Sequence, residues 1–469
     1  MLTYTFDNRH GMSMYEHLYR CIKNDITSGK LFASEKLPSK RTLAKNLGIS
    51  LITVENAYAQ LLLEGYIFSR PKIGYFVAPL IKQPCPSILP EVTDKQPKEE
   101  SFFASFSQSS VPEETFPYNI WARLLRHTLT TANEHDLLSD TSAGGVLALR
   151  QAIAGYLYEF RVVNVDPSQI IIGAGTQILY NLIVQLLGRD KVYALEDPGY
   201  PRLAQIYLAN SVSCRWLPMD PAGISMDSLK KSQADILHIT PSHQFPTGIV
   251  MPISRRQEIL RWALEKADRY IIEDDYDCEF RLSGRPIPPL QGIDTAEKVL
   301  YINTFSQTLA PTFRISYMVL PRHLTQLFYQ KLGFYSCTVS NFEQFTLAKF
   351  IMDGHLERHI NRMRTHYRNK CDLISSYIAK SFLASYFKIA GENSGLHFLL
   401  HFETCASDKE LSLAAKRKNI DVRFLSQYYH KKPSDNSHML LINYAGIPAE
   451  KLLAAFDLLF EALAPYAEN

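Results

Sequence analysis

The sequence has no uninterrupted run of about 18 apolar residues, the length that a membrane-spanning helix requires. Its first residues also lack a basic stretch followed by an apolar one, so we expect no signal peptide. The seven cysteines are scattered, and no two have the spacing of a metal-binding or redox pair. We therefore expect reduced thiols, no metal site, and a cytoplasmic protein that does not contact the membrane.

The chain also lacks a strong charge of one sign. Its 50 basic and 47 acidic residues leave a formal net charge of +3, which argues neither for nor against a nucleic-acid partner. The distribution says more, because residues 1–80 carry ten Lys and Arg against six Asp and Glu. This balance of +4 leaves about −1 for the rest of the chain. A modestly basic head on a near-neutral body fits a module that faces phosphates.

Internal repeats are absent as well, and 469 residues are too many for a single hydrophobic core. Residues 81–115 are rich in proline, serine and charge without a lasting period, which indicates an exposed linker. We therefore predict a head over residues 12–80 that the linker separates from a body. The body is predicted to contain a large domain over residues 116–330 and a smaller C-terminal domain over residues 331–469.

The pattern of the head predicts three helices and a hairpin. Apolar residues recur at helical spacing over residues 15–26, and Ser39 and Ser50 can each cap a following helix. Gly48 separates the second helix from the third, which is the arrangement of a helix-turn-helix. The segments on either side of residues 70–72 predict the two strands of a wing.

The third predicted helix would enter the major groove of DNA in this arrangement. Hydroxyl groups at its start can donate to phosphates or base edges, an asparagine can pair with adenine, and a wing glycine allows close backbone approach. At any one position a plain helix cap or a solvent-exposed residue explains the sequence equally well. The candidate DNA-contacting residues are Lys40, Arg41, Ser50, Leu51, Thr53, Asn56, Lys72 and Gly74.

The head resembles the GntR-type winged helix over its full length. The resemblance is carried by the segments at residues 37–50, 53–58, 61–67 and 74–77. It implies that the partner of the head is double-stranded DNA.

The body alternates strand-like apolar runs with helical segments. Runs that are apolar throughout suit strands buried on both faces, so they predict a largely parallel α/β sheet. In such a sheet, ligands bind at the carboxyl ends of the strands. Residues that could bind a ligand follow the runs at 170–172, 192–195, 236–239 and 270–272. The stretch after residue 330 is helical and then mixed, which predicts a small α+β domain.

Several of these residues match the needs of a pyridoxal-phosphate site. The segment 173–177 ends a strand and opens a helix, whose first N–H groups can hold a phosphate. Tyr200 is an aromatic ring that can stack on the cofactor. Asp274 can pair with the pyridine nitrogen and keep it protonated, and Tyr276 can donate its hydroxyl to the ring oxygen. Taken one at a time, such motifs also occur in ordinary turns and solvent-exposed acidic loops.

From about residue 12 to residue 460 the chain resembles the MocR family, in which a GntR-type winged helix is fused to a fold-type I aminotransferase-like domain. The resemblance implies a homodimer arranged head to tail that binds an operator with paired repeats. It also implies that residues 241–248 lie at the 3-hydroxyl side of the cofactor, and that residues 301–311 form the loop of the active lysine. The implied cofactor-binding residues are Gly175, Thr176, Gln177, Tyr200, Gln244, Asp274, Tyr276, Thr304, Ser306, Gln307 and Arg314.

The sequence departs from the family at Gln307, where other members have the lysine that binds the cofactor. An amide cannot form a Schiff base, and it cannot act as the general base of transamination. We therefore predict no catalytic residue and no aminotransferase activity by the usual route. Pyridoxal 5'-phosphate, if it binds, would be held non-covalently by the remaining groups.

A second departure concerns the arginine that clamps the carboxylate of an amino acid in substrate-binding aminotransferases. Its place in the segment 440–446 is taken by Leu441. Arg202 and Arg423 are possible replacements, although the alignment around Arg423 is loose. The loss favours a B6 vitamer over an amino acid as the effector, as in PdxR-like members of the family.

Three hypotheses remain open. The first is a DNA-binding regulator that senses pyridoxal phosphate or another B6 vitamer without turnover, or, in a variant, GABA or another amino acid. The second is an active pyridoxal-phosphate-dependent aminotransferase, which needs another lysine; Lys298 begins a strand and should lie at the far end of the sheet. The third is a regulator whose body is only a dimerisation scaffold with an empty pocket.

Overall fold

The structure of the chain is a computed structural model. It describes residues 2–6, 11–80, 101–107, 111–112, 115–282, 287–391, 395–431 and 437–467. Most of the predicted linker, including all of residues 81–100, lies outside this part. The chain divides into two compact units, residues 1–99 and residues 100–469, and each is described by itself.

The helices, in chain order, are α1 (Met14–Ser28), α2 (Lys40–Leu47), α3 (Leu51–Leu63), α4 (Tyr118–Thr131), α5 (Glu134–Leu138), α6 (Leu147–Arg161), α7 (Thr176–Leu187), α8 (Pro201–Ala209), α9 (Met226–Lys231), α10 (Ile253–Leu264), α11 (Arg322–Leu332), α12 (Asn341–Met352), α13 (His355–Lys380), α14 (Asp408–Arg417) and α15 (Ala449–Leu463). The strands are β1 (Ile67–Arg70), β2 (Gly74–Val77), β3 (Ala104–Ser105), β4 (Ile170–Gly173), β5 (Val192–Asp197), β6 (Ser213–Asp220), β7 (Gly223–Ile224), β8 (Ile236–Ile239), β9 (Tyr270–Asp274), β10 (Val299–Thr304), β11 (Ser316–Val319), β12 (Phe387–Ala390), β13 (His397–Phe402), β14 (Ile420–Asp421), β15 (Arg423–Phe424) and β16 (Met439–Asn443). No helix in the described ranges is both long enough and apolar enough to cross a membrane.

The first unit is a winged helix-turn-helix, as the sequence predicted. Both predicted caps are present, because the Ser39 hydroxyl accepts from the Thr42 N–H at 3.2 Å and the Ser50 hydroxyl accepts from the Thr53 N–H at 3.2 Å. Gly48 ends α2 with a φ of +66°, a left-handed conformation that favours glycine. Strands β1 and β2 pair antiparallel to form the wing. One apolar core joins α1, α2, α3 and both strands.

The second unit is built around an eight-stranded sheet with the order β4-β11-β10-β9-β8-β5-β6-β7. Strands β10, β9, β8, β5 and β6 run parallel to one another, whereas β11 and β7 run antiparallel to their neighbours. The predicted, mostly parallel α/β sheet is therefore confirmed. We call this sheet and the helices packed on it the large subdomain.

A four-stranded antiparallel sheet with the order β12-β13-β16-β15 forms the small subdomain, together with α14 and α15. The border between the subdomains differs from the predicted residue 330. Helix α12 packs against α6 and α4, and its buried Leu347, Ala348 and Phe350 belong to the core of the large subdomain. The large subdomain therefore continues through α12.

Residues 101–107, which the sequence analysis assigned to the linker, pack against the small subdomain. Strand β3 pairs in parallel with β14, and the Phe106 side chain is fully buried in the small-subdomain core. Apolar residues and serine alternate over residues 104–107, which is the period of a half-buried strand. Because residues 81–115 are polar overall, the sequence predicted a linker there and not this short strand.

Candidate functional site

The start of α3 combines a helix cap with an exposed face. The Ser50 hydroxyl lies 2.7 Å from the Thr53 hydroxyl and also accepts from the Thr53 N–H, so both hydroxyls take part in the cap. Leu51 and Asn56 are exposed on the side of α3 that faces away from the core. The structure thus brings together four of the residues predicted to contact DNA, and it gives Ser50 and Thr53 a structural role in addition.

The predicted phosphate-contacting cations of the head differ in their surroundings. The ammonium of Lys40 lies 3.6 Å from the Glu55 carboxylate and 5.6 Å from the centre of the Tyr75 ring, whereas Arg41 is exposed. At the tip of the wing, Lys72 is exposed, and Gly74 has a φ of +130°. Lys40 is therefore partly neutralised within the head, and Arg41 and Lys72 are the more accessible cations.

Sequence reasoning missed Arg70 on the same wing. Its guanidinium lies over the rings of Phe68 and Phe76, 5.5 Å and 5.1 Å from their centres. Stacking of this kind holds a guanidinium in place while leaving its N–H groups available. The signal was present in the sequence, because Phe68 and Phe76 flank the hairpin at paired positions.

The second candidate site lies at the carboxyl ends of the parallel strands, where Asp274 ends β9. The Tyr180 hydroxyl of α7 donates to Oδ2 of Asp274, and the His238 ring nitrogen Nε2 of β8 lies 3.7 Å from the same oxygen. The other oxygen, Oδ1, is buried and has no hydrogen-bond partner among the described residues. A buried carboxylate oxygen without a donor is costly, so this corner is suited to a ligand that brings an N–H group.

Tyr180 and His238 were not among the predicted site residues. Burial and the neighbouring Asp274 carboxylate raise the pKa of the Tyr180 phenol well above its usual range, so the phenol keeps its proton and remains a donor. His238 stands in the apolar run of β8, and its Nδ1 lies 2.7 Å from the Tyr207 hydroxyl. A single histidine inside a buried strand was the available signal.

Three of the predicted phosphate-binding positions lie where α7 begins. Gly175 precedes the helix with a φ of +92°, and Thr176 and Gln177 are its first two residues. The Arg314 guanidinium lies against Gly175 so closely that a Cβ atom at this position would collide with it. Helix N–H groups and a guanidinium thus meet at one place, which is the composition of a phosphate site.

The turn between β10 and β11 carries Thr304, Ser306 and Gln307. The Ser306 hydroxyl donates to the Phe313 carbonyl at 3.0 Å, and the Thr304 hydroxyl donates to the Ser306 oxygen at 3.1 Å. Both hydroxyls therefore brace the turn, which also holds the half-buried Gln307. Arg314 follows on the same turn, so the amide of Gln307 and the guanidinium that lies against Gly175 stand on one segment.

Several aromatic side chains also cluster at this edge of the sheet, and we call this cluster the aromatic wall. The Tyr200 ring, at the start of α8, meets the Phe245 ring edge to face at 5.9 Å between centres. Phe245 also contacts the rings of Tyr276 at 6.3 Å and of Tyr428 in the small subdomain at 5.4 Å. Phe245 was not predicted as a site residue, although it lies in the loop that the sequence singled out.

Gln244, predicted to lie at the cofactor ring, is hydrogen-bonded within the loops around it. Its Nε2 donates to the carbonyls of Pro198 and Phe245 at 2.9 and 2.7 Å, and its Oε1 accepts from the Thr247 N–H at 3.1 Å. Both ends of the amide are thus engaged in fixing the loop after β8 against the loop after β5. A hydrogen bond between this amide and a ligand would therefore have to replace one of these bonds.

Tyr276 stands between the aromatic wall and a buried polar group. Its hydroxyl lies 3.3 Å from Nδ1 of His243, which in turn lies 2.7 Å from the Asp277 carboxylate. Burial, with the nearby Asp277 and Asp274 carboxylates, raises the pKa of the Tyr276 phenol well above its usual range. The phenol therefore remains protonated and can donate a hydrogen bond.

His243 and Asp277 meet His397 of the small subdomain. Each of the three side chains offers one atom of the kind that can bind a metal ion, and these atoms lie within 4.8 Å of one another. The sequence did not predict this grouping. His397 approaches the Pro246 carbonyl at 3.3 Å, and burial, with the adjacent His243, lowers its pKa well below the usual range. The three residues connect β13 to the loops after β8 and β9.

Glu196, in β5, is a buried carboxylate close to Asp274. Its Oε2 accepts from the Thr240 hydroxyl at 2.7 Å and from the Thr240 N–H at 3.2 Å, whereas Oε1 is buried and has no partner in the described part of the chain. Burial raises the pKa of Glu196 to about 7, with a smaller contribution from Asp274. This carboxyl group therefore titrates near neutral pH.

Leu441, at the predicted place of a carboxylate clamp, lies in β16 directly opposite Arg423 in β15. Its side chain is only 1% exposed and packs in a small apolar cluster with Leu399 and Tyr428, against Phe245. Arg423 and Arg202 are both exposed. An apolar cluster thus occupies the position at which the sequence predicts the loss of a carboxylate clamp.

Lys298 lies away from this site, as expected. Its ammonium donates to the carbonyls of Lys266 and Ala267, which precede β9, so it stands at the amino edge of the sheet. The candidate site occupies the opposite, carboxyl edge. Lys298 therefore does not reach a ligand bound at the carboxyl edge.

The head matches the family described as "Bacterial regulatory proteins, gntR family" over residues 14–77. The HTH-type transcriptional regulator YdeL of Bacillus subtilis is 38% identical to this chain, with coverage of 92% of this chain and 93% of YdeL. The probable rhizopine catabolism regulatory protein MocR of Rhizobium meliloti is 30% identical, with coverage of 94% and 92%. The pyridoxine biosynthesis transcriptional regulator PdxR of Corynebacterium glutamicum is 27% identical, with coverage of 88% of each chain.

Among solved structures, the kynurenine aminotransferase of Pyrococcus horikoshii resembles the second unit. It has a TM-score of 0.69 and 22% sequence identity, and the alignment covers 78% of this chain and 92% of the aminotransferase. At this identity the likeness establishes a shared fold, which is that of the fold-type I aminotransferases.

Proposed function

The chain belongs to the MocR family of transcription regulators, with a GntR-type winged helix and an aminotransferase-like domain, and we propose that this domain senses a phosphorylated B6 vitamer without turning it over. The vitamer would be pyridoxal 5'-phosphate or a close relative. In this proposal, binding of the vitamer to the second unit changes the affinity of the head for double-stranded operator DNA. The pyridoxine biosynthesis regulator PdxR, a relative along most of the chain, supports a B6 compound as the effector.

The single observation that carries the proposal is the unpartnered oxygen of Asp274. A protonated pyridine nitrogen is a donor of the kind that Oδ1 lacks, and the negative carboxylate favours the protonated ring. Tyr180 holds the other oxygen and so orients the carboxylate. Both the charge and the hydrogen-bonding capacity of this corner fit the nitrogen side of a pyridoxal ring.

The phosphate side of the pocket fits the same ligand. A Cβ at Gly175 would fill the space that the Arg314 guanidinium occupies, so glycine is needed for this cation to reach the first N–H groups of α7. A dianionic phosphate would be held by the guanidinium and by the positive end of the helix dipole. Tyr200 would stack on the ring between these two anchors, and Thr304 and Ser306 would support the phosphate-side turn.

Gln307 makes the proposed binding non-covalent. When bound, pyridoxal phosphate supplies a reactive aldehyde and an electron-accepting ring, but an amide is not nucleophilic enough to attack the aldehyde. Residues of this chain would therefore bind and orient the ring without attaching it. Lys298 supports the same view, because its ammonium is engaged at the amino edge of the sheet.

The effector would carry no carboxylate at the position of the missing clamp. Leu441 and its apolar neighbours offer no cation there, and a carboxylate placed against them would lose its hydration without compensation. Arg423, opposite Leu441, supports a second candidate, a regulator that responds to GABA or another amino acid. Its exposure favours the first candidate, since a clamp on a small carboxylate works best when it is shielded from water.

The active form proposed here is a homodimer arranged head to tail on paired operator repeats. The proposal is tested by fluorescence anisotropy on the DNA upstream of the protein's own coding sequence, titrated with full-length protein. Pyridoxal 5'-phosphate should shift the midpoint of the DNA titration, and GABA or other amino acids should not. A shift caused by the amino acid alone, abolished by Arg423→Ala, would favour the second candidate. No binding to DNA with or without ligand would refute both.

A further inference from the structure

Helix α3 presents an unusual outward face for a DNA-reading helix. Its thirteen residues contain no lysine and no arginine, and Glu55 is its one charged residue. The commonest base-specific contact in the major groove, an arginine or lysine on guanine, is thus not available to this helix. Exposed cations of the head stand outside this helix, with Arg41 on α2 and with Arg70 and Lys72 on the wing.

The first turn of α3 exposes aliphatic side chains where a reading helix meets base edges. Ile52 is 68% exposed and Leu51 is 37% exposed, although Val54, Ala57 and Tyr58 of the same helix are fully buried. A single exposed aliphatic residue is ordinary on a protein surface. Here the two are adjacent, and they lie at the N-terminal end of the helix, the part that enters the groove.

Ile52 also lies on the same strip of the helix surface as two polar side chains, and such side chains have known preferences among the DNA bases. Glu55 and Asn56 follow three and four residues later, so their side chains lie beside that of Ile52 on the helix surface. Glu55 is drawn toward Lys40, 3.6 Å away, and Asn56 is exposed. An aliphatic group next to an asparagine fits a thymine next to an adenine, because thymine alone carries a methyl group in the major groove.

We propose that Ile52 is a specificity-determining residue, which reads the 5-methyl group of a thymine in the operator half-site through an apolar contact. This inference rests on the proposed DNA binding of the head. The cations on α2 and the wing would supply affinity through phosphates without reading sequence. The half-site would then be selected for thymine at the Ile52 contact rather than for guanine.

The test begins with full-length protein and a library of randomised DNA duplexes, from which bound sequences are selected. Each thymine of the selected half-site is then replaced by uracil, which removes only the methyl group. For the wild type, we expect a loss of affinity of about fourfold at one or two positions, the value for one buried methyl group. A 5-methylcytosine–guanine pair at such a position should bind more tightly than a cytosine–guanine pair.

The variant Ile52→Ala should bind the thymine and uracil duplexes equally well and should keep its affinity for duplexes without the site. Leu63→Ala is the matched control, because Leu63 is 82% exposed at the other end of α3 and should leave the discrimination unchanged. Wild-type protein that binds a selected site with no uracil-sensitive position would overturn this inference and leave the proposed function intact. Failure to select any duplex would refute both.

Discussion

Tyr180 donates its hydroxyl hydrogen to one oxygen of Asp274, and the other oxygen of this carboxylate is buried without a donor among the described residues. The pair therefore presents an oriented carboxylate that is only half satisfied. In the core of a folded protein such an arrangement is rare, because an unpaired buried acceptor costs about 1–3 kcal/mol. A ligand with a protonated ring nitrogen removes this cost, which links the energetics of the fold to the proposed vitamer site.

The first prediction concerns this carboxylate. Asp274→Asn should weaken pyridoxal 5'-phosphate binding about 10- to 100-fold, because a charge-assisted hydrogen bond is replaced by a neutral one. Isothermal titration of the purified protein with the vitamer measures the change. Asp268→Asn is the control, since Asp268 is an exposed acid in an ion pair with Lys191. Equal affinities for the wild type and Asp274→Asn would remove Asp274 from the site.

The second prediction concerns Arg314. Arg314→Ala should lower the affinity for pyridoxal 5'-phosphate about 10- to 100-fold and leave the affinity for unphosphorylated pyridoxal nearly unchanged, because only the phosphate is expected to contact the guanidinium. Competition titrations with both compounds separate the two effects. Arg322→Ala, a change of an exposed arginine at the start of α11, should alter neither affinity. A similar loss for both vitamers would mean that Arg314 supports the fold and not the phosphate.

The third prediction concerns stability and pH. In the folded chain the pKa of Glu196 is about 7, against 4.5 for the group without burial, so the folded state binds more protons than the unfolded state between these values. This contribution to stability is complete below about pH 4.5 and is lost as the pH rises through 7.

Glu196→Gln removes the titration and keeps a similar shape. The unfolding midpoint of the wild type should therefore fall more steeply from pH 5 to pH 8 than that of the variant, measured without ligand. Other carboxyl groups with a raised pKa, such as Glu273, are present in both proteins, so their effects on stability cancel in the comparison. Parallel curves for the two proteins would show that Glu196 titrates normally.

The fourth prediction concerns the apolar cluster at the lost clamp. Leu441→Ala should lower the free energy of unfolding by about 2–5 kcal/mol, because it leaves a cavity in a packed position. Arg423→Ala, in the neighbouring strand, removes an exposed side chain and should change this free energy by no more than about 0.5 kcal/mol. Denaturant titration gives both values. A small effect at Leu441 would mean that the cluster is loosely packed and open to a ligand.

The sequence predicted the strands that are buried on both faces but not the one near the edge. Strands β4, β8, β9 and β10 are mostly apolar and almost entirely buried, so the apolar runs in the sequence identified them. Strand β6 lies next to the edge strand β7, and buried and exposed residues alternate irregularly along it. Such a pattern is harder to distinguish from a loop.

The candidate site was predictable in its motifs and not in its hydrogen bonds. Asp274 ends a strand and Gly175 follows one at the expected edge, and the chemistry of each residue type indicated its place. Gln244 uses both ends of its amide for hydrogen bonds to Pro198 and Thr247 in the loops. These bonds depend on where tertiary structure places the two partners. The contribution of Tyr180 and His238 depends equally on how α7 and β8 come together, which no local pattern encodes.

The most direct test of the central claim compares two vitamers that differ only at the reactive carbon. Pyridoxine 5'-phosphate has an alcohol where pyridoxal 5'-phosphate has the aldehyde, so it cannot be attached to a lysine. If the wild type holds the ring without a covalent bond, the two dissociation constants should agree within about threefold. Gln307→Lys should instead favour the aldehyde strongly and retain it after borohydride reduction. A wild-type preference for the aldehyde of more than about 30-fold, with the vitamer retained on one lysine after reduction, would contradict the account.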